Sequence, residues 1–160
     1  MLLVVRHADA GDKGSWTSHD GLRPLSPTGR RQAEGLVVRL EPYPIDRILS
    51  SPALRCRQTV QPLAWDRFLD VEPVAALGVD AGPAQLRGLF WNRALRDAVL
   101  CTHGETIGRL FAELVVEGLP EGPLDWPKGS TWLLQRSERR RVYGRFLAPL
   151  ALERFQGTGP

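Results

Sequence analysis

Two kinds of hydrophobic pattern alternate along the chain. Leu2-Leu3-Val4-Val5 and Ala98-Val99-Leu100-Cys101-Thr102 are short runs without a polar face, as expected of strands covered on both sides. Between them apolar residues recur at helical spacing. Ser26-Pro27 offers an N-cap and a proline at the first helical position, and Ala33, Leu36, Val37 and Leu40 follow as one stripe, which predicts a helix over about 27–40. Pro42 and Pro44 end it, and Ile45 to Ser50 reads as a second strand. The next helix carries Leu54, Val60, Leu63 and Ala64, and Pro62 predicts a kink or an early end within it. Val71 to Val74 reads as a short edge strand because Pro73 lies inside it. A helix over about 83–95, another through Ile107, Leu110, Phe111 and Leu114, and strands near Thr131–Gln135 and Val142–Leu147 complete the pattern.

Repeated strand-then-helix units predict the α/β class. The expected architecture is three-layered, a mainly parallel central sheet flanked by helices, formed by residues 1–160 as a single domain. Ligands of such sheets bind beyond the carboxyl ends of the strands, where Arg6-His7, Ser50-Ser51 and His103-Gly104 all fall. Residues 8–25 lack periodicity and form a long loop of the kind that often carries function. Residues 120–129 form a second loop rich in Pro and Gly.

Composition narrows the function. With 160 residues, 42% hydrophobic and 24% charged, the chain is expected to fold around a core rather than stay disordered. The net charge is +3, and Lys13 and Lys128 are the only lysines among 21 basic side chains. The dense basic run, Arg139 to Arg141, sits beside Glu138 and reads as a solvated turn, so no nucleic-acid partner is expected. An anionic substrate is the better use of the arginines. Cys56 and Cys101 lack metal or redox spacing and read as buried thiols. The N-terminal apolar run is too short for a signal peptide, and no stretch approaches the roughly 20 apolar residues of a membrane span. No membrane partner and a cytoplasmic location are expected.

A phosphoryl dianion calls for forked, permanently charged donors, which Arg6 and Arg55 are placed to supply. Transfer of that group without a metal needs a nucleophile that is neutral yet reactive near pH 7, and the imidazole of His7 qualifies. His103 fits the role of a second imidazole that stabilises charge on the equatorial oxygens. The glycines match no dinucleotide fingerprint or P-loop.

These residues lie within a wider set. Leu3-Val4-Val5-Arg6-His7-Ala8, Arg23-Pro24-Leu25-Ser26 with Gly29 and Gln32-Ala33, Ser50-Ser51-Pro52-Ala53 with Arg55 and Gln58-Thr59, and Thr102-His103-Gly104 together resemble the histidine phosphatase, or phosphoglycerate mutase-like, superfamily. The short length and the Arg-Pro-Leu-Ser stretch resemble its small branch, which includes the phosphohistidine phosphatase SixA. Ala10-Gly11 with Lys13 and Trp16, Arg55-Cys56, Pro62-Leu63-Ala64 and Lys128-Gly129-Ser130-Thr131-Trp132 are more similar still to the phosphatase half fused to a Nudix hydrolase in mycobacterial nucleotide-sanitising enzymes.

The resemblance implies that His7 attacks phosphorus, that Arg6, Arg55 and His103 hold the phosphoryl oxygens, and that water hydrolyses the phosphohistidine. It implies no metal and no cofactor. Larger members carry a glutamate after the third strand that protonates the leaving group, but here the stretch reads Ala75-Ala76-Leu77-Gly78-Val79-Asp80. Asp80 and Glu105 are the fallback candidates for that acid. A missing acid favours substrates with good leaving groups. The expected partner is a phosphorylated small molecule, nucleotide-like or otherwise, with a phosphohistidine protein as the second substrate class. A regulatory phosphate-binding module beside a Nudix protein is the alternative from a different class.

Around the core of the site, Lys13, Arg23, Lys128 and Ser130 are candidate substrate contacts. Three of them also have a plainer reading: the lysines as solvated loop residues, Ser130 as the start of a strand. Trp16 and Trp126 read first as covers of the core edge and second as platforms for a nucleobase. His19 reads as a loop brace and Arg57 as a solvated neighbour of Arg55.

Overall fold

The computed structural model describes residues 1–115, 117–118, 125–139 and 141–153. Six strands make one sheet: β1 (Leu2–Arg6), β2 (Arg47–Ser50), β3 (Val71–Pro73), β4 (Ala98–Thr102), β5 (Thr131–Arg136) and β6 (Val142–Leu147). They lie in the order β3-β2-β4-β1-β5-β6. The first four in that order run parallel, and β5 and β6 add antiparallel pairs at one side. The mainly parallel sheet expected from the sequence is therefore present.

Four helices cover it: α1 (Pro27–Leu40), α2 (Leu54–Arg67), α3 (Pro83–Phe90) and α4 (Gly104–Val115). Strand side chains point alternately to opposite faces, and this divides the core in two. Leu2, Val4, Ala98 and Leu100 pack with Leu86 and Phe90 of α3 and with Ile107, Phe111 and Leu114 of α4. Leu3, Val5, Val99 and Cys101 pack with Leu36 and Leu40 of α1 and with Val60, Leu63 and Ala64 of α2. The apolar runs lacking a polar face are those buried on both sides.

Three element boundaries differ from expectation. Pro62 does not end α2, which continues to Arg67. Val60, Leu63 and Ala64 bury its face against the sheet, and that burial outweighs the lost helical bond. The third helix stops at Phe90 rather than near residue 95. The carbonyl of its last residue, Phe90, accepts from Arg136, whose guanidinium also donates to the Asn92 and Leu95 oxygens of the segment that follows. The strand predicted from Ile45 begins at Arg47. Of the second Pro/Gly-rich loop, residues 120–124 lie outside the described residues, as does Arg140 of the basic run.

Candidate active site

The sheet order itself assembles the site. Strands β1 and β4 are parallel neighbours with Arg6 opposite Thr102, so His7 and His103 leave adjacent strands at the same end. The His7 amide donates to the Thr102 carbonyl at 2.9 Å, and the two imidazole rings lie 5.4 Å apart between centroids. On the other side of β4, Ser50 of β2 faces Cys101, which delivers Ser51 to His103 and starts α2 with Arg55 in its first turn.

His7 is only 6% exposed. Its Nδ1 lies 2.8 Å from the Ala8 carbonyl oxygen. A carbonyl only accepts, so Nδ1 carries the proton and Nε2 keeps its lone pair. Burial, helped by the charges of Arg55 and Arg6, lowers the pKa of this imidazole to about 3 and keeps it neutral near pH 7.

His103 is 2% exposed. Arg55 Nη2 lies 3.3 Å from its Nδ1, and Ser51 Oγ lies 2.8 Å from its Nε2. A guanidinium can only donate, so the neutral ring accepts at Nδ1 and donates from Nε2 to Ser51. Ser51, part of the Ser-Ser-Pro stretch, thus fixes the tautomer and tilt of His103. Cys56 Sγ backs the same nitrogen at 3.6 Å, and Cys56 and Cys101 are both buried free thiols.

Arg6, His7, Arg23, Arg55, His103 and Lys13 share the lining of one cleft of about 420 Å³ with Asp12, Asp20, Glu105 and Lys128. Arg6 donates to the Trp126 carbonyl at 2.9 Å. Its guanidinium lies against Gly104, where an added Cβ would stand 3.0 Å from it. Both Arg6 and Arg55 keep a buried Nε without a partner in the described structure, a donor capacity that an anion suits.

Sequence reading missed Asp20. Arg55 donates to its carbonyl at 2.7 Å and to its carboxylate at 2.9 Å, and Arg23 Nε donates to the other carboxylate oxygen at 3.0 Å. Burial alone would raise the Asp20 carboxyl, but the bond from Arg23 and the charges of Arg55, Arg23 and Lys13 outweigh it and hold the group below its usual value. An acid 35 positions before its arginine, in an aperiodic loop, gives no local signal.

The outer candidates fall into distinct settings. Arg23 lines the cleft but is 7% exposed and also donates to the Ala10 carbonyl at 2.8 Å, so it braces the first loop. Lys128 is paired with Asp9 at 2.8 Å. Lys13 lines the cleft with no ion pair among the described residues. Ser130 is buried outside the cleft lining, its carbonyl accepting from the Arg6 amide at 3.0 Å. Glu105 lies in the first turn of α4 on the cleft wall. Asp80 is exposed and outside that lining, although its neighbour Val79 is part of it.

The remaining motif residues hold the loops. Gln58 accepts from the Leu25 amide, Thr59 from the Ala8 amide and Gln32 from the Asp9 amide, at 2.8, 2.9 and 2.8 Å. Gly29 lies so close to the Asp9 carbonyl that a Cβ would sit 1.9 Å from it. His19 accepts from the Gly21 amide, Arg57 is exposed, and Trp126 packs edge-on against Phe111. No helix among the described residues is long and apolar enough to cross a membrane.

Comparison with known proteins agrees with this geometry. Residues 2–79 match the histidine phosphatase superfamily, branch 1. The chain is 34% identical over 155 residues to an 8-oxo-(d)GTP phosphatase of Mycolicibacterium smegmatis, covering 92% of this chain and 48% of that protein. It thus spans about half the length of this curated relative. Among solved structures, the protein histidine phosphatase SixA complexed with tungstate superposes with a TM-score of 0.68 at 22% identity, covering 94% of this chain and 96% of that one. The alpha-ribazole phosphatase of Shigella flexneri superposes with a TM-score of 0.71 at 17% identity, covering 91% and 95%. Two histidines and two arginines thus converge beyond the carboxyl ends of a parallel sheet in a chain whose residues 2–79 match the histidine phosphatase superfamily and whose fold is that of the SixA structure.

Proposed function

We propose that the chain hydrolyses a small phosphorylated metabolite, nucleotide-like in the first instance, through a phosphohistidine on His7. The observation that carries this reading is the His7 ring: buried, neutral, its Nδ1 tied to the Ala8 carbonyl, so that Nε2 is the nucleophile. Nε2 attacks phosphorus, the bond to the leaving oxygen breaks, and the phosphoryl group rests on His7 until water displaces it as inorganic phosphate. Arg6 and Arg55 hold the phosphoryl oxygens, and His103, steadied by Ser51, meets the negative charge of the transition state once a proton on Nδ1 replaces the bond from Arg55. Guanidinium groups provide the positive charge, so the scheme calls on no metal.

Glu105 is the better placed of the two acid candidates. Its own backbone amide at the start of α4, with the charge of Arg6, holds its carboxyl below the usual value. It rests ionised and takes a proton only once a dianion enters the cleft. This weak acid supply suits substrates with stable leaving groups, as does the name of the mycobacterial relative. The likeness to SixA together with the neutral leaving group of a phosphoimidazole favours a phosphohistidine protein as second reading.

Turnover of an aryl phosphate in EDTA by wild type and His7→Ala tests the proposal. Activity in the first, lost in the second, is expected; inactivity of both would leave a phosphate-binding module instead. A panel of nucleoside di- and triphosphates, sugar phosphates and a phosphohistidine protein, ranked by kcat/KM, separates the substrate classes.

A further inference from the structure

A second cavity, of about 660 Å³, opens at the opposite end of the sheet, lined by Trp91, Arg93, Arg96, Arg136, Ser137 and Glu138. Strand β5 runs against β1, with Leu134 facing Leu2. Arg136 therefore lies beyond the amino end of β1, about 20 Å along the strand direction from Arg6.

Its charge is unbalanced. Arg93 and Arg96 are exposed and have no carboxylate partner among the described residues. The nearest acid in sequence, Asp97, is taken by the N-terminal ammonium at 3.3 Å. Among the described residues Glu138 is the single acid on the wall.

The cavity is also built rather than incidental. Arg136 ties the Phe90, Asn92 and Leu95 carbonyls to the end of β5, which fixes the segment carrying Arg93 and Arg96. Burial first, and then the like charge of Arg96, hold the Arg136 guanidinium below its usual value. An entering anion would relieve that crowding. Trp91, packed edge-on against Phe90 at 5.2 Å between centroids, adds a flat apolar wall. Volumes of about 300–1,000 Å³ suit a small molecule, whereas a peptide usually needs an extended groove.

We propose that this cavity is a second binding site, separate from the catalytic cleft, for a nucleoside di- or triphosphate. Arg93 and Arg96 grip the phosphate chain and Trp91 flanks the base.

The test is calorimetric titration with α,β-methylene-ADP at about 0.15 M ionic strength, the catalytic cleft being saturated with vanadate. One equivalent is expected to bind to wild type and to Arg55→Ala. Arg93→Ala/Arg96→Ala, both exposed sites, should weaken binding by about tenfold or more with kcat and KM on an aryl phosphate unchanged. Trp91→Leu should weaken the nucleotide but not pyrophosphate. Absence of binding under vanadate, or equal binding by the double arginine variant, overturns the site. Binding of a polyglutamate peptide in place of the nucleotide also overturns it, in favour of an acidic protein partner.

Discussion

At the scale of single residues, the site depends on which groups are ionised before substrate arrives. His7 in the folded chain takes up a proton only near pH 3, whereas the unfolded chain does so near 6.5. The unfolded state therefore binds more protons between those values. Stability falls as pH drops through that window, by up to about 1.4 kcal/mol per unit. His7→Gln lacks this term, so its Tm should gain on wild type steadily from pH 6.5 towards pH 4. A constant difference across that range would mean that the imidazole protonates in the fold.

The acid is open to an equally local test. Glu105→Gln should slow an alkyl phosphate by about 10²-fold and an aryl phosphate little, while Asp80→Asn, outside the cleft, should leave both rates unchanged. Loss of the alkyl rate in Asp80→Asn would favour Asp80, the other of the two candidates that the sequence offered. The central four residues were legible because each sits at a strand end or helix start. Asp20 and the Asp9 partner of Lys128 were not, because an ion pair spanning 35 or 119 positions leaves no periodic trace.

At the scale of elements, two glycines separate folding from binding. The Cβ of Gly29→Ala would meet the Asp9 carbonyl at 1.9 Å, a backbone atom that cannot turn aside, whereas that of Gly104→Ala would meet the movable Arg6 guanidinium at 3.0 Å. Gly29→Ala should therefore cost about 2–3 kcal/mol of stability. Gly104→Ala, at the start of a helix, should keep its Tm and raise KM for a phosphate ester by displacing Arg6. Thermal melts beside Michaelis kinetics read both, and the reverse assignment would mean that Gly104 packs the core. Apolar runs and caps disclosed α1, β1 and β4 in the sequence. The end of α3 was hidden because Arg136, some forty positions on, claims the carbonyls of Phe90 and of Asn92 and Leu95 just beyond it. Pro62 misled because its local cost is overruled by burial of α2 on the sheet.

At the scale of the whole molecule, strand order does what no single segment can. Placing β4 between β1 and β2 brings His103 beside both His7 and Ser51, so three distant stretches of chain meet at one end of the sheet. The same antiparallel addition of β5 that carries Lys128 and Ser130 towards this end carries Arg136 to the other, which gives the molecule two cationic poles. The most direct test is acid-sensitive trapping. Wild type mixed with a ³²P-labelled aryl phosphate and quenched in alkali within one turnover should yield a labelled peptide containing His7, stable to base and labile to acid, and His7→Ala should yield none. Turnover by wild type without label on His7, or label on another residue, would contradict the account.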